Sequence, residues 1–455
     1  MKKLFVVICI VAVMAMTGMA ATVAPKSVAA DGNVNPLHAT HSTIQSAALS
    51  GTPASRPAPI NAMTIKSVTR WDEATTLFRI SPNADSRSPR HSTTAVGDPV
   101  DFNAALSSAA DYLRHMQADV TEDNAGNGNP DVPADPNDGG WDWSVLSPPD
   151  PFFHTTAPSP KNVYGVSGLG LYYAYLRSGS ANLLTAMTDA ANAMIADAGI
   201  RSASDIIFLQ LYDDLPAVAG TTYRDAAKAK YDGRITAYGS ATALAQAIRD
   251  ARGGSYPNGI IGWDLGGWAK AAAFLSARYG NSPYDYAQDA KDIAEVLWQD
   301  SYNSNPGYFD VVADAGWDPT WSNVNYWWYT LGVSGLVDAF VASGIHTSDL
   351  AGLAARLKAS QLSSGAVSGS YGAHATDEDW QSTAYAAMSL AYYNQSAYQL
   401  EISRMGYWTA VTQDPSGGWK YSDNSHYPEI GGENASAIYL ALPPTVVVVD
   451  DDFTD

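Results

Sequence analysis

Cysteine is nearly missing from this chain: 455 residues contain one, Cys9, and it lies inside an apolar N-terminal run. The rest of the chain therefore has no disulfide, no thiolate for covalent catalysis or a thioester, and no sulfur ligand for zinc. Basic residues are also few. Lys and Arg total 26 against 46 Asp and Glu, a formal net charge of −20, and such a surface repels nucleic acid, anionic membranes and polyanionic glycans. Neutral ligands are the partners this charge leaves open. Long hydrophobic runs are missing too: Leu4 to Met16 is too short to cross a bilayer comfortably. It follows Lys2 and Lys3 and precedes small-residue sites near Ala20 and at Ala29 or Ala30, the order of a secretory signal. The expectation is an exported protein (secreted, periplasmic or cell-surface) with a signal over 1–24, cleaved between 20 and 30, and no membrane span in the mature chain.

Strand-like alternation is scarce as well, and what replaces it is a helical repeat. Residues 25–98, rich in Ser, Thr, Ala and Pro, form a flexible lead. From 99 to 443 two kinds of segment alternate. Amphipathic ones such as "FNAALSSAADYLRHMQ" and "DYAQDAKDIAEVLWQD" suit an outer layer. More apolar ones with Gly and Ala, such as "NVYGVSGLGLYYAYL" and "NYWWYTLGVSGLVDAFVAS", suit an inner layer. The pattern predicts an all-α domain, an (α/α)6 toroid of six outer–inner hairpins. Links from inner to outer helix are short, whereas those from outer to inner are long and emerge at one end, where loops of that length are usually functional. Gly-Trp clusters recur at that end: "PNDGGWDWSV", "GIIGWDLGGW", "DAGWDPTW" and "SGGWKYSD".

The pairing of "ALSSAADYLRHMQ…DGGWDWSV" with "NVYGVSGLGLYYAY", and of "QDPSGGWKYSDN" with "ENASAIYLAL", resembles the repeats of the terpenoid cyclase and protein prenyltransferase α/α toroid superfamily over residues 99 to 443. The resemblance implies inner helices that start at the long-loop mouth and point their N-termini toward a central cavity. It implies the fold more than the activity. A prenyltransferase would need an Asp, Cys and His zinc site; the chain has no suitable cysteine, and Lys161 stands where the histidine is expected. Squalene-type cyclases carry an Asp-x-Asp-Asp-Thr-Ala motif whose middle acid protonates an alkene. The nearest match is "TDEDWQSTAYAAMSL". Aligned on Thr383 and Ala384, its first acid is Asp379, but Gln381 and Ser382 occupy the other acidic positions.

The mouth so defined is rich in oxygens and rings. Asp379 and Glu433, at neighbouring inner-helix starts, are the candidate acid–base pair, with Asp264 third. Asp142, Trp143, Asp205, Trp263, Asp318, Trp321, Asn325, Trp327, His374, Asp377, Trp380 and His426 are candidate ligand contacts, because aromatic faces stack on sugars and acids hydrogen-bond hydroxyls. The competing explanation is structural: Asp205, Asp377, Asn325 and Glu433 lie where acids and amides cap helices, and Trp beside Gly suits a repeat turn.

No cofactor is expected. The loop 122–139 is dense in oxygen donors suited to calcium, but it lacks the EF-hand pattern, and no histidine pair has zinc-ligand spacing. Val446 to Val449, followed by acids, reads as a linker or as the start of a further, downstream β domain in 444–455. The leading expectation is an exported toroid that binds a neutral polysaccharide and, if two carboxylates pair, hydrolyses it. The alternatives are a terpenoid cyclase-like enzyme with a degenerate acid motif and a noncatalytic scaffold or interaction module of a larger secreted protein.

Overall fold

Asp101 opens the first helix. Its carboxylate accepts from the N–H groups of Asn103 at 2.9 Å and Ala104 at 3.2 Å, satisfying two donors that a helix start leaves without partners. Helix α1 (Phe102–His115) then buries one stripe, Ala105, Leu106, Ala109, Ala110, Tyr112 and Leu113. The computed structural model describes residues 100–117, 139–141, 145–146, 163–196, 202–253, 258–280, 282–299, 329–369, 378–419 and 425–442, with backbone alone at 145–146, 250–253, 258–261 and 425–426. All of them fall in the unit Ser67–Asp455. The signal over 1–24 with Cys9, the lead over 25–98, the loop from 122 to 138 and the stretch 444–455 lie outside the described residues.

Eleven further helices follow: α2 (Val163–Ser178), α3 (Ala181–Ala196), α4 (Ala203–Asp213), α5 (Thr222–Tyr238), α6 (Ala241–Gly253), α7 (Asn258–Tyr279), α8 (Tyr286–Leu297), α9 (Tyr329–Ser343), α10 (Leu350–Ala359), α11 (Trp380–Val411) and α12 (Pro428–Ala441). The all-helical class expected from the sequence is the one the chain adopts. Helix α11 contains two expected helices in one element, broken at Asn394, whose φ of −163° and ψ of 83° are not helical. Helix α6 matches none of the expected segments. Among the described residues the only strands are β1 (Val145–Leu146) and β2 (Ser425–His426), antiparallel with Val145 opposite His426 and Leu146 opposite Ser425.

The two layers of segments differ in burial as their sequences require. Apolar α9 buries 12 of its 15 residues, on all sides, whereas amphipathic α8 buries six of its 12 along one stripe. The apolar helices pack on one another in sequence: α2 on α4, α4 on α7, α7 on α9, α9 on α11, α11 on α12, and α12 back on α2. Close approach needs missing side chains. A Cβ on Gly335 of α9 would collide with the backbone of Gly262 on α7, so these two helices meet glycine to glycine. The amphipathic helices cover this set: α1 lies on α2 and α12, α3 on α2, α8 on α7 and α9, and α10 on α9 and α11.

A glutamine clamp joins each of three amphipathic helices to the next. Gln117, after α1, donates through Nε2 to Gly139 O at 2.6 Å and to Ala186 O on α3 at 2.8 Å. Gln361, after α10, reaches Gly365 O at 3.1 Å and Glu401 O on α11 at 3.0 Å. Gln413, after α11, reaches Gly417 O at 2.7 Å and Ala105 O on α1 at 3.0 Å. All three glycines have positive φ (91°, 99° and 93°), and a Cβ on any of them would strike the carbonyl oxygen of Asp189, Arg404 or Ser108 on the neighbouring helix. Only glycine meets both demands. Two residues beyond each glycine stand Trp141, Val367 and Trp419. Both indoles are fully buried and donate backward at 2.9 Å, Trp141 to Leu113 O and Trp419 to Thr409 O. Two of the Gly-Trp clusters are thus repeat turns.

Two outcomes follow. Gln117 is 4 % exposed, so Gln117→Ala strands two carbonyls, and urea denaturation should show a loss of about 2–3 kcal/mol; a loss below about 0.5 kcal/mol is inconsistent with a clamp. Between α5 and α8, burial, opposed by the Tyr231 hydroxyl and reinforced by Asp292, Asp285 and Asp232, raises the Asp289 pKa from 3.8 to about 6. The folded state then binds more protons than the unfolded chain, and stability is lost as pH rises through this window. Asp289→Asn keeps an acceptor for Tyr231, so its Tm should exceed wild type at neutral pH and converge with it below the ordinary aspartate pKa.

Candidate functional site

The clamp after α10 sets where α11 begins. Val367 pairs with Asp379 across an isolated bridge, Asp379 N–H donating to Val367 O at 3.3 Å. The Val367 N–H in turn donates to Thr383 Oγ1 at 2.8 Å. Asp379 Oδ2 accepts from Ser382 N–H at 2.7 Å, which makes it the N-cap of α11. With the start fixed, Gln381 and Tyr385 lie four residues apart on one helix face, as do Glu429 and Glu433 on α12. These two faces meet: Gln381 Nε2 donates to Glu433 Oε1 at 3.1 Å.

Glu433 has no exposed surface. The Tyr385 hydroxyl also acts on its carboxyl group as a hydrogen-bond donor, yet Oε2 is buried with no partner within hydrogen-bonding distance. Burial first, then the neighbouring Glu429 and Asp379 carboxylates, push Glu433 well above the usual carboxylate range, and Gln381 and Tyr385 oppose this only in part. Burial first, then the Glu433 and Glu429 carboxyl groups, push the Tyr385 phenol up, so it keeps its proton.

Trp263 completes the group from α7, which does not neighbour α11 in the packing order. Its ring meets Tyr385 edge to face, centroids 5.8 Å apart at 83°. Trp263, Gln381, Tyr385 and Asp379 are half-buried, while Glu429 and Glu433 lie behind them. The arrangement sets a buried carboxyl group with a raised pKa beside two aromatic rings.

Of the residues expected at the mouth, the structure brings Asp379, Glu433 and Trp263 together. Asp264 follows Trp263 on α7 and is half-buried. Asp205 is elsewhere: it is buried in the first turn of α4, and its Oδ1 accepts the Gly165 N–H at 3.0 Å, capping the start of the neighbouring helix α2. Trp380 turns to the outer layer, where its indole donates to Thr412 Oγ1 at 3.0 Å and its ring lies 6.4 Å from that of Trp408. Asp142, Trp143, Asp318, Trp321, Asn325, Trp327, His374 and Asp377 lie outside the described residues, as does the side chain of His426. Gln381, Tyr385 and Glu429 were not among the expected contacts. Their signal was the four-residue spacing within "QSTAY" and "EIGGE".

The chain matches no protein-family model, and no curated protein matches it significantly. No helix among the described residues is long and apolar enough to cross a membrane, and they contain no group of three or more His, Cys, Asp or Glu able to hold a metal ion.

A buried acid with a raised pKa has a measurable signature. The folded state keeps its proton above pH 4.5, where the unfolded chain begins to lose it, so stability falls as pH climbs toward the folded pKa. Glu433→Gln mimics the neutral acid. Its Tm should equal wild type in acid and exceed it increasingly at alkaline pH, whereas parallel Tm curves would show an ionised Glu433.

Proposed function

We propose that the helices close into an (α/α)6 toroid of the terpenoid cyclase and prenyltransferase type, and that its mouth, where the inner helices begin, binds and hydrolyses a neutral polysaccharide. Support for closure is twofold: α12 packs back on α2, and Gln413 of the last outer segment clamps Ala105 of the first. The observation that carries the function is Glu433, a fully buried carboxyl group with one oxygen unpaired, pushed up from the usual carboxylate range by burial and by the carboxylates beside it, and close to an aromatic pair. Unpaired buried polar atoms and displaced pKa values concentrate at functional sites.

In this mechanism Glu433 gives its proton to the glycosidic oxygen as the C–O bond breaks. Water attacks the anomeric carbon and loses its proton to Asp379. Trp263 and Tyr385 hold the sugar faces, and Gln381 keeps the acid oriented through Oε1. A surface of net charge −20 favours an uncharged chain over an anionic one.

A second reading has its own observation. Gln381 stands where squalene-type cyclases carry the protonating acid, and its amide touches Glu433, so the acid missing from α11 is supplied from α12. The substrate would then be an alkene. The polar side chains of Gln381 and Asp379 beside Glu433 favour the sugar.

Purified protein incubated with a panel of neutral polysaccharides should release reducing ends, and Glu433→Gln should lower the rate by roughly 10²–10⁴-fold. Retention on an insoluble glycan without release would make it a binding module. Conversion of squalene with no action on any glycan would move the assignment to the cyclase reading.

A further inference from the structure

A second polar and aromatic group lies deeper along the same helices. Lys270 follows Trp263 by seven residues on α7, and Tyr392 follows Tyr385 by seven on α11. Seven residues make almost two full turns, so each pair shares a helix face with a rise of about 10 Å between members. The two deeper residues meet: the Lys270 ammonium lies 4.1 Å from the centre of the Tyr392 ring. Lys270 also pairs with Asp338 Oδ2 on α9 at 3.2 Å.

The same group draws on the opposite side of the helix set. Asp338 acts electrostatically on Tyr392 and on Tyr173 of α2, although α2 and α9 are not packing neighbours. Tyr173 stacks on Tyr439 of α12, centroids 4.9 Å apart at 28°. Five inner helices thus contribute one residue each. The Lys270–Asp338 pair is close to neutral as a unit, and Tyr173, Tyr392 and Tyr439 stay protonated because burial raises each phenol. One atom stands out. Asp338 Oδ1 is buried without a hydrogen-bond partner, a loss that folding tolerates rarely.

A charged ligand would face an opposing charge of its own sign in the Lys–Asp pair. A neutral ligand bearing hydroxyls would donate to Asp338 Oδ1 and lay its C–H face against the tyrosine rings. We propose that Asp338, Lys270, Tyr173, Tyr392 and Tyr439 form a second saccharide-binding layer, so that one neutral glycan chain occupies both this layer and the Trp263–Tyr385 layer. This rests on the polysaccharide reading above and adds to it a minimum ligand length.

The test is calorimetric titration of the Glu433→Gln protein, in which cleavage is blocked, with cellohexaose, xylohexaose and mannohexaose, each against its own disaccharide. The preferred hexasaccharide should bind at least about tenfold more tightly than the disaccharide, the worth of one hydrogen bond to a charged group. Adding Asp338→Asn or Tyr392→Ala should remove most of that gain and leave the disaccharide unchanged. Equal affinity for the two lengths, or a gain that survives both variants, overturns the second layer while leaving the mouth site standing. Absence of binding by every sugar overturns the polysaccharide reading itself. Should Asp338→Asn fail to fold, Tyr392→Ala removes the stacking ring and decides alone.

Discussion

Three glutamine amides tie the outer helices to one another. Each bridges a glycine carbonyl of its own loop and a carbonyl on the next helix, at 2.6 to 3.1 Å. An amide has two N–H donors, so one side chain can satisfy two carbonyls that water would otherwise have to serve. The geometry tolerates no Cβ at the glycine, because the loop lies directly on the neighbour's backbone. This constraint travels inward. The Gln361 clamp positions Val367, Val367 pairs with Asp379, and Asp379 caps α11; the orientation of Gln381 and Tyr385 depends on that start.

Two buried carboxylates, Asp205 and Glu433, show how different partners act on the same chemical group. Asp205 is buried but accepts the Gly165 N–H, a donor that the first turn of α2 leaves unsatisfied, and its role is explained by folding alone. Glu433 is buried more completely and faces Glu429 and Asp379 rather than free N–H groups. Ionising it would place like charges together in a medium that screens poorly. That cost pushes the Glu433 carboxyl up from the usual carboxylate range, and ionising it at high pH costs stability.

Helix identity was legible because it rests on periodicity: the apolar run of α9 and the single stripe of α8 differ in sequence as plainly as in burial. Asp205 and Glu433 were equally visible as acids near helix starts, and capping was the right account of the first. What sequence alone could not separate was direction. Trp263 and Trp380 look alike, each a Trp beside an acid at an inner-helix start, yet one turns to Tyr385 and the other to Thr412 and Trp408. The difference is rotational phase about the helix axis, set by Gly262 against Gly335 on α7 and by the Asp379 cap on α11. Gln381 was read as a lost acid. Its partner, Glu433, is 52 residues away, beyond any local pattern. Helix α6 was missed because "ATALAQAIRDARG" breaks the two-by-two alternation.

Charge is offset locally in this chain, which as a whole carries −20. Lys270 offsets Asp338, burial and neighbouring carboxylates push the Glu433 carboxyl up and so favour its neutral form, and the buried tyrosines retain their protons. Each of these devices removes charge without removing polarity. A terpenoid substrate would derive no benefit from the oxygens so preserved, because burying polar groups against hydrocarbon leaves them unpaired. Under the proposed glycan reading, a hydroxylated neutral chain would satisfy them, donating to Asp338 Oδ1 at one layer and to Glu433 Oε2 at the other, while the net charge of −20 would repel a polyanion.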